Sequence, residues 1–268
     1  MSIALVTGAK LSLRNIMRTA APTLLSARIQ SKWDHEPEFS LLPALCDPER
    51  ISIDVGANWG QYMGALRNLS VSVIACEPVP ELARFLSRSW PDRIRVEQVA
   101  LSNANGRAEF VVESDWSQSR LGGTGASKGR RRVAVDVKTL DSIAEGPIGF
   151  IKIDVEGHEE EVIEGAQRVI TENHPVLLAE IEERHRPGAL HRVNNRLSAC
   201  GYRGFFLKGH SIRPIAQFRP AEYQSPENYP YTGDAKYGLY INNFVFIHQS
   251  GLSEKKKRLA EIGYVVAD

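Results

Sequence analysis

The sequence ISIDVGANWGQY at residues 51–62 decides the fold of this chain. An apolar run ends at Asp54 and Val55, and Gly56 and Gly60 follow it. Glycines allow the backbone to turn tightly and to approach a ligand, and the first turn of a following helix offers free N–H donors. The pattern therefore predicts a buried strand, a ligand-binding glycine loop and a helix.

The same order of a short apolar run and a helical-period segment recurs along the chain. The further runs predicted as strands are VSVIACEP (71–78), IRVEQVAL (94–101), GFIKIDV (149–155), VLLAEIEE (176–183), YRGFFL (202–207) and NNFVFIH (242–248). Alternating strands and helices are typical of a parallel sheet covered by helices on both faces. We therefore predict an α/β fold with a doubly wound, mostly parallel, seven-stranded sheet. The last two runs predict an antiparallel C-terminal edge.

The composition excludes several classes of protein. The 268 residues include 33 Lys and Arg against 32 Asp and Glu, which gives a net charge of +1. A nearly neutral chain has no overall field that attracts polyanions, so we expect no nucleic-acid partner. The three cysteines, Cys46, Cys76 and Cys200, lack the spacing of metal ligands. They favour free thiols in a reducing compartment, and we expect a cytoplasmic protein.

The predicted organisation is one central domain with two flanking segments. Residues 1–45 form a basic helical arm, residues 46–250 the α/β domain, and residues 251–268 a C-terminal helix and tail. No apolar run approaches the roughly 20 residues that span a bilayer, so we expect no transmembrane segment. The arm is expected to pack on the domain or to contact an acidic surface peripherally. The oligomeric state is left open.

Two acids at strand ends indicate which ligand the glycine loop binds. Asp54 would repel a pyrophosphate, whereas it suits the positive charges of S-adenosylmethionine. Glu77 lies 21 residues after Gly56, where a carboxylate can accept hydrogen bonds from both ribose hydroxyls. The phosphate-binding patterns G-x-G-x-x-G and G-x-x-x-x-G-K-[ST] are absent. A helix N-cap for Asp54 and a solvated strand end for Glu77 are the structural alternatives.

Six segments together resemble the FkbM family of S-adenosylmethionine-dependent methyltransferases. They are DVGANWGQY (54–62), CEPVPELARFL (76–86), VALSNANGRAEF (99–110), VKTLDSI (137–143), IKIDVEGHEEEVIEGA (151–166) and PVLLAEIE (175–182). The segment IKIDVEG-x-E is the most specific of these motifs. The resemblance implies a class I, Rossmann-like methyltransferase domain at residues 46–250. It also implies methyl transfer to hydroxyl groups, mostly of sugars in glycans and natural products, or of polyketides.

The resemblance further implies a site for S-adenosylmethionine. The residues assigned to it are Asp54, Gly56, Ala57, Asn58, Gly60 and Tyr62 in the loop, Glu77 and Pro78 at the ribose, Ala100, Leu101 and Ser102 near the adenine, and Asp154.

Methyl transfer to a hydroxyl requires a group that removes the proton, because a neutral hydroxyl is a poor nucleophile. We assign Asp154, His158 and Glu180 as catalytic residues. Asp154 ends the fourth predicted strand, where the methyl group and the acceptor should meet. His158 follows four residues later and has an ordinary pKa of about 6.5. An exposed histidine at a helix start, and an ion pair of Glu180 with Arg184, are the alternatives.

The acceptor is expected to be a small molecule or a glycan. The residues assigned to it are Glu156, Glu182, Trp116 and Tyr231, since aromatic faces stack on sugar rings and carboxylates accept hydrogen bonds from hydroxyls. The basic run at residues 128–132 suits a phosphate-bearing acceptor or is a solvated loop.

We assign no metal ligands. A divalent cation held by the oxygen-rich set Asp154, Glu156, His158 and Glu180 is an alternative that we do not favour. A non-catalytic nucleotide-binding module and a dehydrogenase are the competing functions. The strand-end acids count against both.

Overall fold

The computed structural model of this protein describes residues 36–90, 92–113, 119–122, 131–228 and 240–267. The predicted acceptor residues Trp116 and Tyr231 lie outside the described residues, as do residues 1–35 of the predicted arm and residues 128–130 of the basic run. The strands are β1 (Ile51–Val55), β2 (Ser72–Cys76), β3 (Ile94–Glu97), β4 (Ala100–Leu101), β5 (Gly106–Val112), β6 (Arg120–Leu121), β7 (Arg131–Lys138), β8 (Ile148–Ile153), β9 (Val176–Glu180), β10 (Tyr202–Lys208), β11 (Ser211–Pro214), β12 (Asn243–His248) and β13 (Val265–Val266).

Short helices connect and cover these strands. They are α1 (Leu42–Leu45), α2 (Met63–Leu69), α3 (Pro80–Ser89), α4 (Leu140–Ile143), α5 (Glu159–Glu164), α6 (Gln167–Asn173), α7 (Ala189–Ala199), α8 (Pro220–Tyr223) and α9 (Leu252–Glu261), with 3₁₀ turns at Pro37–Leu41, Ile215–Gln217 and Pro226–Asn228. Within the described ranges, no helix combines the length and the apolar character that crossing a bilayer requires.

The main sheet has the strand order β13-β11-β10-β12-β9-β8-β1-β2-β3. Its strands β3, β2, β1, β8 and β9 run parallel, which confirms the predicted doubly wound α/β fold. The chain passes from β1 outward to β2 and β3, and later returns to β8 on the other side of β1. Strand order therefore reverses between β1 and β8, and the carboxyl ends of the strands at such a point form a binding crevice.

The C-terminal part of the sheet differs from the prediction. β12 pairs antiparallel with both β9 and β10, so the antiparallel strand lies inside the sheet and not at its edge. Phe244 and Phe246 pack into the core on one face, and Val245 and Ile247 pack into the core on the other. A strand buried on both faces belongs in the sheet interior. β11 and β13 extend the edge beyond β10, so this sheet has nine strands instead of seven.

A second, four-stranded sheet has the order β4-β7-β5-β6. The run at residues 94–101, predicted as one strand, is divided between the two sheets: β3 pairs with β2, and β4 pairs with β7. Phe110, Val112 and Val135 of the second sheet pack with Val79 and Leu82, which follow β2. The second sheet therefore stands beside the carboxyl end of β2.

Both flanking segments of the described chain pack on the main sheet. Leu41, Leu42 and Leu45, which precede β1, are fully buried in the same core as Phe150 of β8. Leu259 of α9 lies in that core as well, and β13 pairs with β11. The core of the α/β domain thus includes residues from outside the predicted bounds 46–250.

Gly165, at the end of α5, lies against the segment that follows β4. A Cβ atom at this position would lie 2.0 Å from the backbone carbonyl oxygen of Ser102. The φ angle of Gly165 is −79°, which any residue adopts. The requirement for glycine is therefore one of space and not of backbone conformation.

We expect Gly165→Ala to lower the free energy of unfolding by about 1–3 kcal/mol, because α5 or the Ser102 backbone must move to admit the methyl group. Urea denaturation measures the change. Gly106→Ala is the matched control, since nothing lies within 4 Å of a Cβ atom there. Equal unfolding midpoints for the two variants would contradict this packing.

Candidate active site

A cleft opens at the carboxyl ends of β1, β2 and β8, beside the reversal of strand order. It has a volume of about 580 Å³, part of it open to solvent. The predicted site residues that line it are Gly56, Asn58, Glu77, Pro78, Ala100, Leu101, Asp154, Glu156 and His158. The predicted residues Asp54, Ala57, Gly60, Tyr62, Ser102, Glu180 and Glu182 are not part of this lining.

Close packing against β8 fixes the glycine loop. Gly56 has a φ angle of +81°, and a Cβ atom on it would lie 1.9 Å from the carbonyl oxygen of Asp154. The N–H groups of Gly56 and Ala57 both donate to the carbonyl oxygen of Cys76, at 3.0 and 3.1 Å. Only glycine satisfies both the left-handed φ and the close approach. The loop is thereby held between the ends of β2 and β8.

Glu77 joins this loop to the turn after β2. Its Oε2 accepts a hydrogen bond from the N–H of Asn58, and its Oε1 accepts one from the N–H of Val79, both at 2.8 Å. The side chain is almost fully buried, and burial raises the pKa of Glu77 to about 7 against the opposing effect of the two N–H donors. Each carboxylate oxygen has a second lone pair. Glu77 can therefore hold the loop and still accept hydrogen bonds from a ligand.

Two buried oxygen atoms near the loop have no hydrogen-bond partner among the described residues. They are Oδ1 of Asn58 and Oδ2 of Asp54. Buried polar atoms are nearly always paired, so an unpaired one requires an explanation such as a bound ligand. The Asn58 oxygen belongs to a residue of the cleft lining and is thus suited to a polar ligand there.

Tyr62, predicted to bind the cofactor, is not part of the cleft lining. Its ring stacks on Phe39 at a centroid distance of 4.3 Å, and its hydroxyl donates to Glu36 at 2.7 Å. Both partners lie in the segment before β1. The sequence of the loop alone does not indicate that Tyr62 contacts this segment. Tyr62 therefore fastens that segment over the sheet.

His158 lies at the N-terminus of α5 and faces Ser102. Its Nε2 shares a hydrogen bond of 2.9 Å with the Ser102 hydroxyl, and its Nδ1 lies 3.5 Å from Glu161. Burial lowers the pKa of His158, and this effect exceeds the opposite effect of Glu161. The imidazole thus closes the end of the cleft at which Leu101 and Ser102 are predicted to meet an adenine.

A group of buried charged residues, Lys152 with Asp54, Asp154 and Glu180, lies at the strand ends, and we call it the charged layer. Asp54 and Lys152 are register neighbours on β1 and β8, and Lys152 is 1% exposed. The Lys152 ammonium donates to Oδ1 of Asn243 at 3.1 Å and lies 3.9 Å from Glu180. Burial opposes its charge, but Asp154 and Glu180 outweigh burial and raise the pKa of Lys152. Lys152 therefore remains a cation among acids.

The acids around Lys152 have raised pKa values. Burial raises the pKa of Asp154 to about 6, although Lys152 counteracts it. Burial also raises the pKa of Glu180 well above its ordinary value, and the neighbouring Asp154 adds to the effect. Glu180 accepts a hydrogen bond of 2.6 Å from Asn242. The alternative partner Arg184 binds Glu182 instead, so Glu180 is paired with Lys152 and Asn242.

Glu156, which lines the cleft, meets Glu182 and His185 beside it. Oε2 of Glu156 lies 2.9 Å from Nε2 of His185, and Oε1 of Glu182 lies 3.5 Å from the same nitrogen. Arg184 donates to both oxygens of Glu182, at 2.6 and 2.8 Å. Burial acts to lower the pKa of His185, but the two adjacent carboxylates outweigh burial and raise it to about 9. Sequence reasoning missed His185, because the motif spacing carries no signal for it.

One side of the cleft is apolar, and the sequence analysis does not predict it. Val79, Val99, Phe110 and Leu121 line the cleft beside the predicted adenine segment. Phe110 and Leu121 belong to the second sheet and oppose each other across the pairing of β5 with β6. Apolar and polar residues alternate in the run RAEFVVE at residues 107–113, which is typical of a strand, but only the packing of the second sheet turns one face of that strand to the cleft.

Comparison with solved structures finds several methyltransferases. The chain is 18% identical to methyltransferase FkbM of Methylobacillus flagellatus KT, with a TM-score of 0.49, over 75% of this chain and 44% of that one. It is 11% identical to an O-methyltransferase of Bacillus cereus in complex with SAH, with a TM-score of 0.47, over 87% and 94% of the two chains. It is 13% identical to an rRNA methylase of Streptococcus thermophilus, with a TM-score of 0.42, over 79% and 93%. The chain thus spans less than half of the Methylobacillus protein. No curated protein sequence matches significantly.

The fold and the cleft define a Rossmann-like α/β protein with a ligand site at the carboxyl ends of its central strands. Residues 54–203 match the methyltransferase FkbM domain. This match covers more than half of the chain, so the chain belongs to the FkbM methyltransferase family. The resemblance inferred from the sequence motifs is confirmed.

Glu38, from the segment before β1, lies near the charged layer and is 6% exposed. Burial raises the pKa of Glu38 from 4.5 to about 7, while its backbone hydrogen bond opposes the rise. At a pH between these two values, the Glu38 carboxyl is ionised in the unfolded chain but still protonated in the folded protein. The folded state then binds more protons, so the free energy of unfolding falls as pH rises through this window.

We expect Glu38→Gln to reduce this fall and to raise the free energy of unfolding at pH 8 by about 1–3 kcal/mol, because a neutral amide of the same shape does not ionise. Urea denaturation at pH 5, 6, 7 and 8 measures it. Glu145→Gln, at an exposed position, is the control. Parallel pH profiles for Glu38→Gln and the unsubstituted protein would contradict the assignment.

Proposed function

We propose that this chain is an S-adenosylmethionine-dependent O-methyltransferase that acts on a hydroxyl of a sugar, a glycan or a glycosylated natural product. Its membership of a methyltransferase family supports the reaction class. The observation that carries the proposal is the clamp that Glu77 makes between Asn58 and Val79 at the mouth of the cleft. This clamp leaves carboxylate lone pairs for a ligand with two adjacent hydroxyls.

The residues present suit S-adenosylmethionine. Glu77 would accept from the ribose hydroxyls, and the unpaired Asn58 Oδ1 would accept from a donor of the ligand. Val99, Leu101 and Phe110 offer apolar faces to an adenine. When bound, the cofactor supplies an electrophilic methyl group on a positively charged sulfur. Asp154 in the lining puts a carboxylate where that cation would be stabilised.

We propose Asp154 as the group that receives the acceptor proton. It lies in the cleft lining at the end of β8, and its backbone is fixed by the 3.0 Å hydrogen bond from its N–H to the carbonyl oxygen of Val55. Lys152, two residues earlier in the chain, partly balances its charge. Glu180, held by Asn242, would position the acceptor, and His158 would close the adenine end with Ser102.

The charge of the cleft favours a polyhydroxylated acceptor. Asp154 and Glu156 line it, and Glu180 and Glu182 lie next to them. Carboxylates accept hydrogen bonds from hydroxyls but repel phosphates. This supports a neutral sugar over a phosphate-bearing acceptor. The predicted aromatic contacts Trp116 and Tyr231 lie outside the described residues and stay predictions, and a polyketide hydroxyl is the alternative acceptor.

We also propose a cytoplasmic location. Cys46 and Cys76 are buried, Cys200 is partly buried, and all three are free thiols. Free cysteines without a disulfide partner suit a reducing compartment.

We expect Glu77→Ala to weaken binding of S-adenosylhomocysteine at least tenfold, or about 1.4 kcal/mol, because the variant loses both the ribose acceptor and the clamp on Asn58. Asp154→Ala should chiefly lower turnover. Titration calorimetry and initial rates separate the two effects. Glu97→Ala is the control, since that carboxylate lies at the end of the neighbouring strand β3 and pairs with Arg95 on the surface. Unchanged cofactor affinity in folded Glu77→Ala would contradict the ribose role.

We expect labelled methyl groups from S-adenosylmethionine to appear on a hydroxyl of a neutral glycan. Incubation with a panel of glycans and polyketides, followed by linkage analysis of the labelled product, identifies the methylated position. The Asp154→Ala variant is the negative control. Label on nitrogen or carbon atoms only would refute O-methyl transfer. Cofactor binding without methyl transfer to any acceptor of the panel would favour a non-catalytic nucleotide-binding module.

A further inference from the structure

Three side chains with metal-ligand atoms converge next to the cleft. Glu156 lies on the turn after β8, and Glu182 and His185 follow β9. Nε2 of His185 lies 2.9 Å from a Glu156 oxygen and 3.5 Å from a Glu182 oxygen, and the three ligand atoms all lie within 4.8 Å of one another. We call these three residues the Glu–Glu–His cluster.

The His185 nitrogen at the centre of this cluster is buried and makes no hydrogen bond within the described residues. Its distance of 2.9 Å from Glu156 would suit a hydrogen bond, but the direction of the ring N–H does not. A buried imidazole nitrogen that lacks a hydrogen bond, next to two carboxylate oxygens, is an arrangement that one shared partner would satisfy. This points to a group that accepts lone pairs from several directions, which is what a cation does.

We propose that the Glu–Glu–His cluster binds one divalent first-row cation, such as Mn²⁺ or Zn²⁺. Carboxylate and imidazole ligands lie about 2.0–2.2 Å from such ions, so neighbouring ligands around one ion lie about 3–3.5 Å apart. The two contacts of His185 have these lengths. An imidazole together with two carboxylates favours Mn²⁺ or Zn²⁺ over Mg²⁺, which prefers oxygen ligands.

Interactions outside the cluster hold its ligands in place. Arg184 and the Tyr240 hydroxyl both donate to Glu182. A Cβ atom on Gly157 would lie 2.9 Å from the Cβ atom of His185, so glycine allows the two turns to approach. Ligands that are oriented by surrounding hydrogen bonds lose less entropy when a metal binds. The hydrogen bonds to Glu182 and the close approach of Gly157 therefore hold the cluster side chains near one another before any ion binds.

The charge around the cluster also favours a cation. The carboxylates of Asp154, Glu156, Glu180 and Glu182 lie close together. Within the described ranges, the Lys and Arg side chains paired with them are Lys152 on Glu180 and Arg184 on Glu182. A divalent ion would offset the remaining repulsion between carboxylates.

The role of this ion, unlike its binding, rests on the proposed function. Glu156 lines the cleft, so the ion would lie at its acceptor side. A bound divalent cation lowers the pKa of a coordinated hydroxyl and orients it. Two adjacent hydroxyls of a sugar could share the ion, which makes a vicinal diol the acceptor class that the cluster would select.

Metal binding can be measured on the full chain without cofactor or acceptor, so its outcome is independent of methyl transfer. The protein is stripped with a chelator, dialysed and titrated with Mn²⁺, and free Mn²⁺ is followed by electron paramagnetic resonance. We expect one Mn²⁺ per chain, and an electron spin echo modulation from one coordinated imidazole nitrogen. No binding at millimolar Mn²⁺, or binding without the imidazole signal, would overturn the proposal, because His185 would then be only an ion-pair partner of the two carboxylates.

Two variants localise the site. His185→Gln and Glu156→Gln should each weaken Mn²⁺ binding at least tenfold and leave binding of S-adenosylhomocysteine within about threefold, the tenfold loss being about 1.4 kcal/mol. His191→Gln and Glu145→Gln, at exposed positions, are the matched controls and should bind Mn²⁺ as the unsubstituted protein does. Unchanged Mn²⁺ affinity in both cluster variants would refute the site. If a variant fails to fold, the imidazole signal of the unsubstituted protein decides the question.

Discussion

The buried ammonium group of Lys152 is the interaction on which the strand ends depend. Parallel strands carry Asp54, Asp154 and Glu180 to one edge of the sheet, where burial makes every unbalanced charge costly. Lys152 lies on β8 between β1 and β9, so one cation serves the acids of three adjacent strands. Asn243 from the antiparallel strand β12 accepts one of its hydrogen bonds. This balance allows the protein to keep carboxylates at the place where a cationic or hydroxylated ligand can use them.

A steric constraint then converts the sheet edge into a cleft. The loop after β1 comes so close to the end of β8 that Gly56 has no room for a side chain. Glu77 fixes the other side of the same loop through Asn58. The second sheet adds an apolar wall with Phe110. The cleft therefore combines polar groups on one side with an apolar wall on the other, as sites for nucleoside cofactors commonly do.

Much of the fold and part of the candidate site follow from local patterns. Short apolar runs that end in Asp54, Glu77 or Asp154 mark the carboxyl ends of the parallel strands. They can be recognised because a strand buried on both faces is a continuous apolar run of consecutive residues. The division of residues 94–101 between two sheets could not be predicted, since both parts are apolar and only their pairing partners differ. The place of Tyr62 in the motif predicts a cofactor contact, whereas its partners Phe39 and Glu36 in the structure come from the segment before β1, which no spacing in the motif indicates.

The sequence by itself determined the doubly wound α/β class, the glycine loop, the strand-end acids and the FkbM family, because each depends on residue types at short spacing. The tertiary structure alone decided that β12 enters the sheet between β9 and β10, that Lys152 faces the acids of neighbouring strands, and that His185 meets Glu156 and Glu182. These contacts join residues from different turns and strands. Their distances depend on how whole elements pack, and no local pattern in the chain encodes that packing.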